Sequence, residues 1–91
     1  MVYPIYYTMM NLYFITILVV TTNTIPEGWL QWTKSYSDKA ICEQVIKQSK
    51  ADIIFAASEY LRKGGKTFLF AKDLKCMTYK EAVKKNTALG H

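Results

Sequence analysis

The charge-free N-terminal stretch constrains this chain more than any other feature. Residues 1–26 carry no acidic or basic side chain, and all seven acidic and all twelve basic residues follow from Glu27 onward. The chain therefore divides into an apolar head and a charged body of a size that permits only one small domain. We predict a head over residues 1–24 and an α+β domain over residues 25–91.

The head permits three interpretations. The apolar run from Leu12 to Val20, followed by small or polar residues, is typical of a cleaved secretory signal, although no Lys or Arg precedes it. Residues 2–20 are also long enough for an uncleaved membrane anchor. The third interpretation is a buried N-terminal element of a soluble protein. Met1, Met9 and Met10 are all candidate start residues. Among these, a signal peptide or anchor is our prediction.

The first half of the body predicts a strand and a long helix. The aromatic segment 28–34 predicts a short strand. A capping box is predicted at Ser35, and an apolar stripe with helical spacing then runs from Cys42 to Leu61. The stripe has these members: Cys42, Val45, Ile46, Ser49, Ile53, Ala56, Ala57 and Tyr60. One continuous helix is predicted, with a break near Ser49 as the alternative, and the two glycines after Lys63 end it.

The second half predicts a strand and a short helix. Residues 66–71 form an apolar run typical of a buried strand, which continues to Cys76 past a bulge or turn at Lys72. Thr78 and Glu81 predict a capping box that starts a helix to about residue 86, followed by a frayed tail. We predict that the two strands lie side by side and parallel, joined by a right-handed crossover. Two strands are too few for an independently stable sheet, so pairing with a partner or with a second copy of the chain is an alternative.

The two cysteines are predicted to form a disulfide. From Cys42 the helix advances about 31 Å at about 1.5 Å per residue, and the strand that ends at Cys76 returns about 33 Å at about 3.3 Å per residue. Both thiols therefore reach the same end of the domain. The bridge stabilises the fold by about 3–4 kcal/mol and implies an oxidising compartment. The alternative is two free buried cysteines.

The charged body predicts a binding role rather than catalysis. We expect no enzyme, metal or other cofactor, because the sole histidine is His91 and no nucleophile–base pair or Cys-x-x-Cys occurs. A net charge of +5 favours anionic partners. Lys80, Lys84 and Lys85 form a basic edge that is a candidate contact for an anionic surface. We expect a protein partner or an anionic membrane surface, and neither a small-molecule substrate nor nucleic acid.

The order of these features resembles that of small uncharacterised exported bacterial proteins. The likeness covers residues 28–77 and consists of an apolar leader, Trp29 and Trp32, a helix containing Cys42-Glu43, and a strand that ends at Cys76. It implies export and a disulfide. The resulting prediction is an exported, periplasmic or extracellular, non-enzymatic binding or structural module of the envelope. The alternative is a single-pass membrane protein whose basic body contacts anionic lipid or a membrane complex.

Overall fold

The computed structural model describes residues 12–91, so the first eleven residues of the predicted head lie outside it. The described elements are β1 (Tyr13–Thr21), β2 (Glu27–Tyr36), α1 (Lys39–Lys63), β3 (Phe68–Met77) and α2 (Tyr79–Ala88). The predicted α+β class and the order strand, long helix, strand, short helix are confirmed. The strand β1 precedes them and lies within the predicted head. No helix among residues 12–91 is both long and apolar enough to cross a membrane.

The three strands form one sheet with β1 at its centre, in the order β2-β1-β3. Both β2 and β3 pair antiparallel with β1. They consequently run parallel to each other, as predicted, but the predicted side-by-side pairing is wrong because β1 lies between them. The physical reason is the apolar composition of β1, whose consecutive apolar residues suit a strand covered on both faces.

Both faces of β1 are buried, each beneath a different helix. On one face Ile15, Ile17 and Val19 pack with α1 in the main core. On the opposite face Phe14 and Leu18 alternate with them and are also buried. The helix α2 crosses this second face, contacts all three strands and buries Ala82. The sheet therefore lies between two helices, and Tyr13–Thr21 is its most enclosed strand.

The long helix α1 begins and bends close to the predicted positions. Its N-cap is Asp38, whose side chain accepts a hydrogen bond from Ala40 N at 2.8 Å. The capping box predicted at Ser35 is wrong, because β2 extends to Tyr36 and includes that residue. The helix is continuous but kinks at Ser49, which has φ −126° and ψ 23°. Tyr60, predicted on the buried stripe, is 66% exposed, because Leu61 takes the core position at that turn.

The second half of the domain matches the sequence prediction at two points and differs at one. The bulge predicted at Lys72 is confirmed, because Asp73 pairs with Leu18 whereas Ala71 pairs with Val19. The capping box of Thr78 and Glu81 is also present at the start of α2.

The predicted frayed tail is wrong, because Asn86 in the last turn of α2 and the terminal residue His91 both contact the edge of β2. Asn86 hydrogen-bonds to both backbone groups of Trp29. The His91 Nε2 atom lies 2.7 Å from the backbone oxygen of Glu27. These contacts fix the C-terminal residues against the sheet.

Candidate functional site

The predicted disulfide is confirmed and joins the start of α1 to the end of β3. Cys42 and Cys76 are bonded, with their Cα atoms 6.1 Å apart, which is within the usual range for a disulfide. Both cysteines are buried, and they belong to the main core with Ile15, the β1 residue paired with Cys76. The outgoing helix and the returning strand do bring both thiols to one end of the domain.

A surface groove lies between α1 and β3 beside this disulfide. It consists of two adjoining cavities of about 330 Å³ and about 150 Å³, which share Ile46 and Leu74 in their linings. We call it the α1–β3 groove. Its α1 residues recur every three or four positions and so lie on one side of the helix: Lys39, Glu43, Ile46, Lys50 and Ile54. Its β3 residues form one run, 71–76.

The groove has an apolar floor and a predominantly basic rim. The floor consists of half-buried or buried residues: Ile46, Ile54, Ala71, Leu74 and Cys76. We call the four exposed lysines around it the lysine rim: Lys39, Lys50, Lys72 and Lys75. Two carboxylates, those of Glu43 and Asp73, also line the groove. The four lysines face three carboxylates when Glu27, the partner of Lys72, is counted with Glu43 and Asp73, so the site has an excess of one positive charge.

Two of the rim lysines already pair with carboxylates, and two do not. Lys72 Nζ lies 2.8 Å from Glu27 Oε1, and Lys75 Nζ lies 3.6 Å from Asp73 Oδ2. Within the described part of the chain, Lys39 and Lys50 form no salt bridge. These two α1 side chains are therefore the cations that a bound anion can approach without displacing an internal partner.

The backbone of β3 presents hydrogen-bonding groups along the groove. Asn86 binds the outward N–H and C=O of Trp29, so the paired residue Leu18 directs its own groups away from β2, towards Asp73. By alternation along β3, Leu74 and Cys76 direct theirs away from the sheet. The Leu74 N–H donates to the Asp73 side chain at 2.8 Å. By the same alternation Val19 directs its groups towards β2, so its partner Ala71 directs both of its own outward. The Leu74 carbonyl and both backbone groups of half-buried Ala71 therefore remain at the open edge, whereas Cys76 is only 6% exposed.

The basic edge predicted on α2 lies apart from this groove. Lys80, Lys84 and Lys85 are all exposed. Lys80 and Lys84 are one turn apart and flank the exposed apolar pair Tyr79 and Val83. Lys85 projects in another direction, because its Nζ lies 5.9 Å from the centroid of the Trp29 ring. The first two lysines therefore share one surface with an apolar pair, whereas the third belongs to the contact with β2.

The groove was not predicted from the sequence. A signal was present in the spacing of the α1 residues, which places Lys39 and Lys50 on the same side of the helix as Ile46. Their position beside an open strand edge depends on the strand order β2-β1-β3, which differs from the predicted pairing of β2 with β3. Across residues 12–91 there is also no group of three or more His, Cys, Asp or Glu side chains that could hold a metal ion.

Comparisons with known proteins found no family model, no curated protein and no solved structure that matches the chain. The resemblance to small exported bacterial proteins therefore stays a prediction. The disulfide and the α1–β3 groove are the structural features of this site that bear on function.

Proposed function

We propose that this chain is a small exported protein that acts as a non-enzymatic binding or structural module of the cell envelope. The observation that carries the proposal is the disulfide between Cys42 and Cys76, because such bonds persist in oxidising compartments and are rare in the cytosol. In a domain of this size the bridge supplies a large share of the net stability. The net charge of +5 supports an anionic partner.

Under this proposal the mature, exported chain retains β1. Within the described residues β2 and β3 pair only with β1, so a cut near Thr22 would leave two strands without a partner. Any processing of the chain must therefore occur before Tyr13. A head that is retained as an anchor satisfies the same requirement.

Thiol labelling in intact cells tests the proposal. Cells that make the protein are quenched with acid, their free thiols are alkylated, and the mass of the chain is measured in separated cytoplasmic and envelope or secreted fractions. We expect the chain outside the cytoplasm, with no alkyl group before reduction and two after it. A cytoplasmic chain that is alkylated at both cysteines without reduction would contradict the proposal.

One observation supports a second candidate function, contact with anionic lipid. The exposed Tyr79 and Val83 lie beside Lys80 and Lys84 on α2, and an apolar pair flanked by lysines is typical of helices that lie at membrane surfaces. In this candidate the basic body contacts lipid headgroups, and the apolar head, if retained, anchors the chain.

Vesicle binding distinguishes the second candidate from the first. The oxidised protein is sedimented with vesicles that contain anionic phospholipid and with neutral vesicles. Lipid contact predicts selective binding to the anionic vesicles, weaker at high salt, with a loss in the double variant Lys80→Gln/Lys84→Gln. Equal behaviour of that variant and the unmodified chain would eliminate this role of α2.

A further inference from the structure

We propose that the α1–β3 groove binds an extended acidic peptide segment of another protein, which adds to β3 as a fourth strand. The inference rests on the proposed function and assigns the partner class of that binding module. A peptide placed there would pair with the open edge of β3 and lay alternate side chains over the groove floor, a mode known as β-strand addition.

The open backbone groups of β3 determine the form of the ligand. The Leu74 carbonyl and both groups of Ala71 face away from β1, and a strand placed alongside pairs with groups of this kind. Along α1 the groove extends from Lys39 to Ile54, about 22 Å at about 1.5 Å per residue. An extended chain of about seven residues covers that length at about 3.3 Å per residue.

The groove lining determines the side chains of the ligand. Successive strand residues face opposite sides of a sheet, so alternate peptide side chains would face α1. Apolar residues at these positions fit the floor of Ile46, Ile54 and Leu74. Acidic residues near the ends fit Lys39 and Lys50, which have no carboxylate partner among residues 12–91. The lining has no aromatic side chain on which a nucleotide base could stack.

The composition and shape of β3 oppose a second copy of this chain as the occupant. Pairing two copies through β3 would place the bulge and the exposed Lys72 and Lys75 of one copy beside those of the other. Lysines and bulges at edge strands commonly block such pairing. The edge of β3 therefore disfavours a second copy of this chain and favours an acidic peptide.

Fluorescence anisotropy with defined peptides tests the proposal on the purified, oxidised full chain. The probe is a labelled heptapeptide, Glu-Thr-Val-Thr-Val-Thr-Glu, whose alternate residues place two Val over the floor and a Glu at each end on the same face. Its control has Lys in place of each Glu. Two further probes carry backbone N-methyl groups on alternate residues, one on the odd and one on the even positions. A strand uses only one of these two sets of N–H groups towards β3. We expect binding of the acidic peptide, no binding of the basic peptide, and loss with only one methylated probe.

Two charge-reversed variants locate the binding site. Lys39→Glu/Lys50→Glu should weaken binding of the acidic peptide about tenfold, because it removes two ion pairs and introduces repulsion. Lys80→Glu/Lys84→Glu changes the net charge equally on α2 and should leave the affinity within about twofold. Circular dichroism of both variants verifies that they are folded.

Several results would overturn the proposal. These are equal weakening by both variants, equal binding of the two methylated probes, binding of the basic peptide, or self-association of the chain through β3 in sedimentation. Absence of peptide binding by a chain that is oxidised and exported in cells would refute the groove assignment and leave the proposed function intact. A reduced cytoplasmic chain that binds the acidic peptide would refute the proposed compartment instead.

Discussion

The side chain of Asn86 takes the place of a neighbouring strand for Trp29. Its Oδ1 atom accepts the Trp29 N–H at 2.7 Å, and its Nδ2 atom donates to the Trp29 carbonyl at 3.0 Å. Two residues away along β2, His91 Nε2 lies 2.7 Å from the Glu27 oxygen. One edge of the sheet is therefore partly covered by the C-terminal residues, whereas the edge of β3 beside the groove is not.

Replacing Asn86 should destabilise the domain and uncover the β2 edge. Asn86→Ala removes both hydrogen bonds and leaves partly buried backbone groups of Trp29 unpaired, so we expect the free energy of unfolding to fall by about 1–3 kcal/mol. Urea unfolding followed by circular dichroism measures the change. Lys84→Ala, an exposed substitution on the same helix, is the control and should change it by less than about 0.5 kcal/mol. Equal stability of the two variants would show that this contact contributes nothing.

The disulfide should account for much of the stability of the oxidised chain. Its cysteines are 34 residues apart, and closing a loop of that size restricts the unfolded chain by about 3–4 kcal/mol. We expect Cys42→Ala/Cys76→Ala to lose about that amount in urea unfolding. The reduced unmodified chain is the matched control and should be destabilised similarly. A double variant as stable as the oxidised chain would mean that the bridge is dispensable.

Local patterns predicted β2, β3 and both helices, because each depends on neighbouring residues, whereas β1 was assigned to the head. The capping box at Thr78, the bulge at Lys72 and the kink at Ser49 all follow from short segments. The disulfide was also predictable, since the distance from Cys42 to Cys76 depends only on the rise per residue of one helix and one strand.

The order of the strands was not predictable, because the apolar composition of β1 fits both a signal sequence and a buried strand. A continuous apolar run such as Leu12 to Val20 is typical both of a signal sequence and of a strand buried on both faces. Periodicity cannot separate them. The α1–β3 groove was missed for the same reason, since its position at an open edge depends on β1 lying at the centre of the sheet.

The two glycines after α1 provide a matched pair of substitutions. Gly65 has φ +78°, with no atom within 4 Å of an added Cβ, whereas the φ of Gly64 is −81°. Gly65→Ala should therefore lower the free energy of unfolding by about 1–2 kcal/mol through backbone strain alone. Gly64→Ala should be neutral or stabilising by up to about 1 kcal/mol, because alanine restricts the unfolded chain. Similar losses from both substitutions would argue against the left-handed conformation at Gly65.

The position of β1 predicts where the chain tolerates truncation. A chain that begins at Leu12 keeps all three strands, whereas one that begins at Ile25 retains only β2 and β3, which do not pair with each other. The shorter chain also loses Ile17, which is 0% exposed, and removing even part of such a side chain costs about 2–5 kcal/mol. We expect cooperative unfolding and dispersed amide signals from residues 12–91 and neither from residues 25–91.

N-terminal sequencing of the chain recovered from cells extends the same prediction to its processing. The mature chain should begin at or before Leu12, because any later start removes part of the central strand. A mature start between Thr22 and Ile25, together with a folded chain of residues 25–91, would show that β2 and β3 can form a stable domain without β1. In that case the leader interpretation of the head would stand, and the sheet described here would belong only to the unprocessed chain.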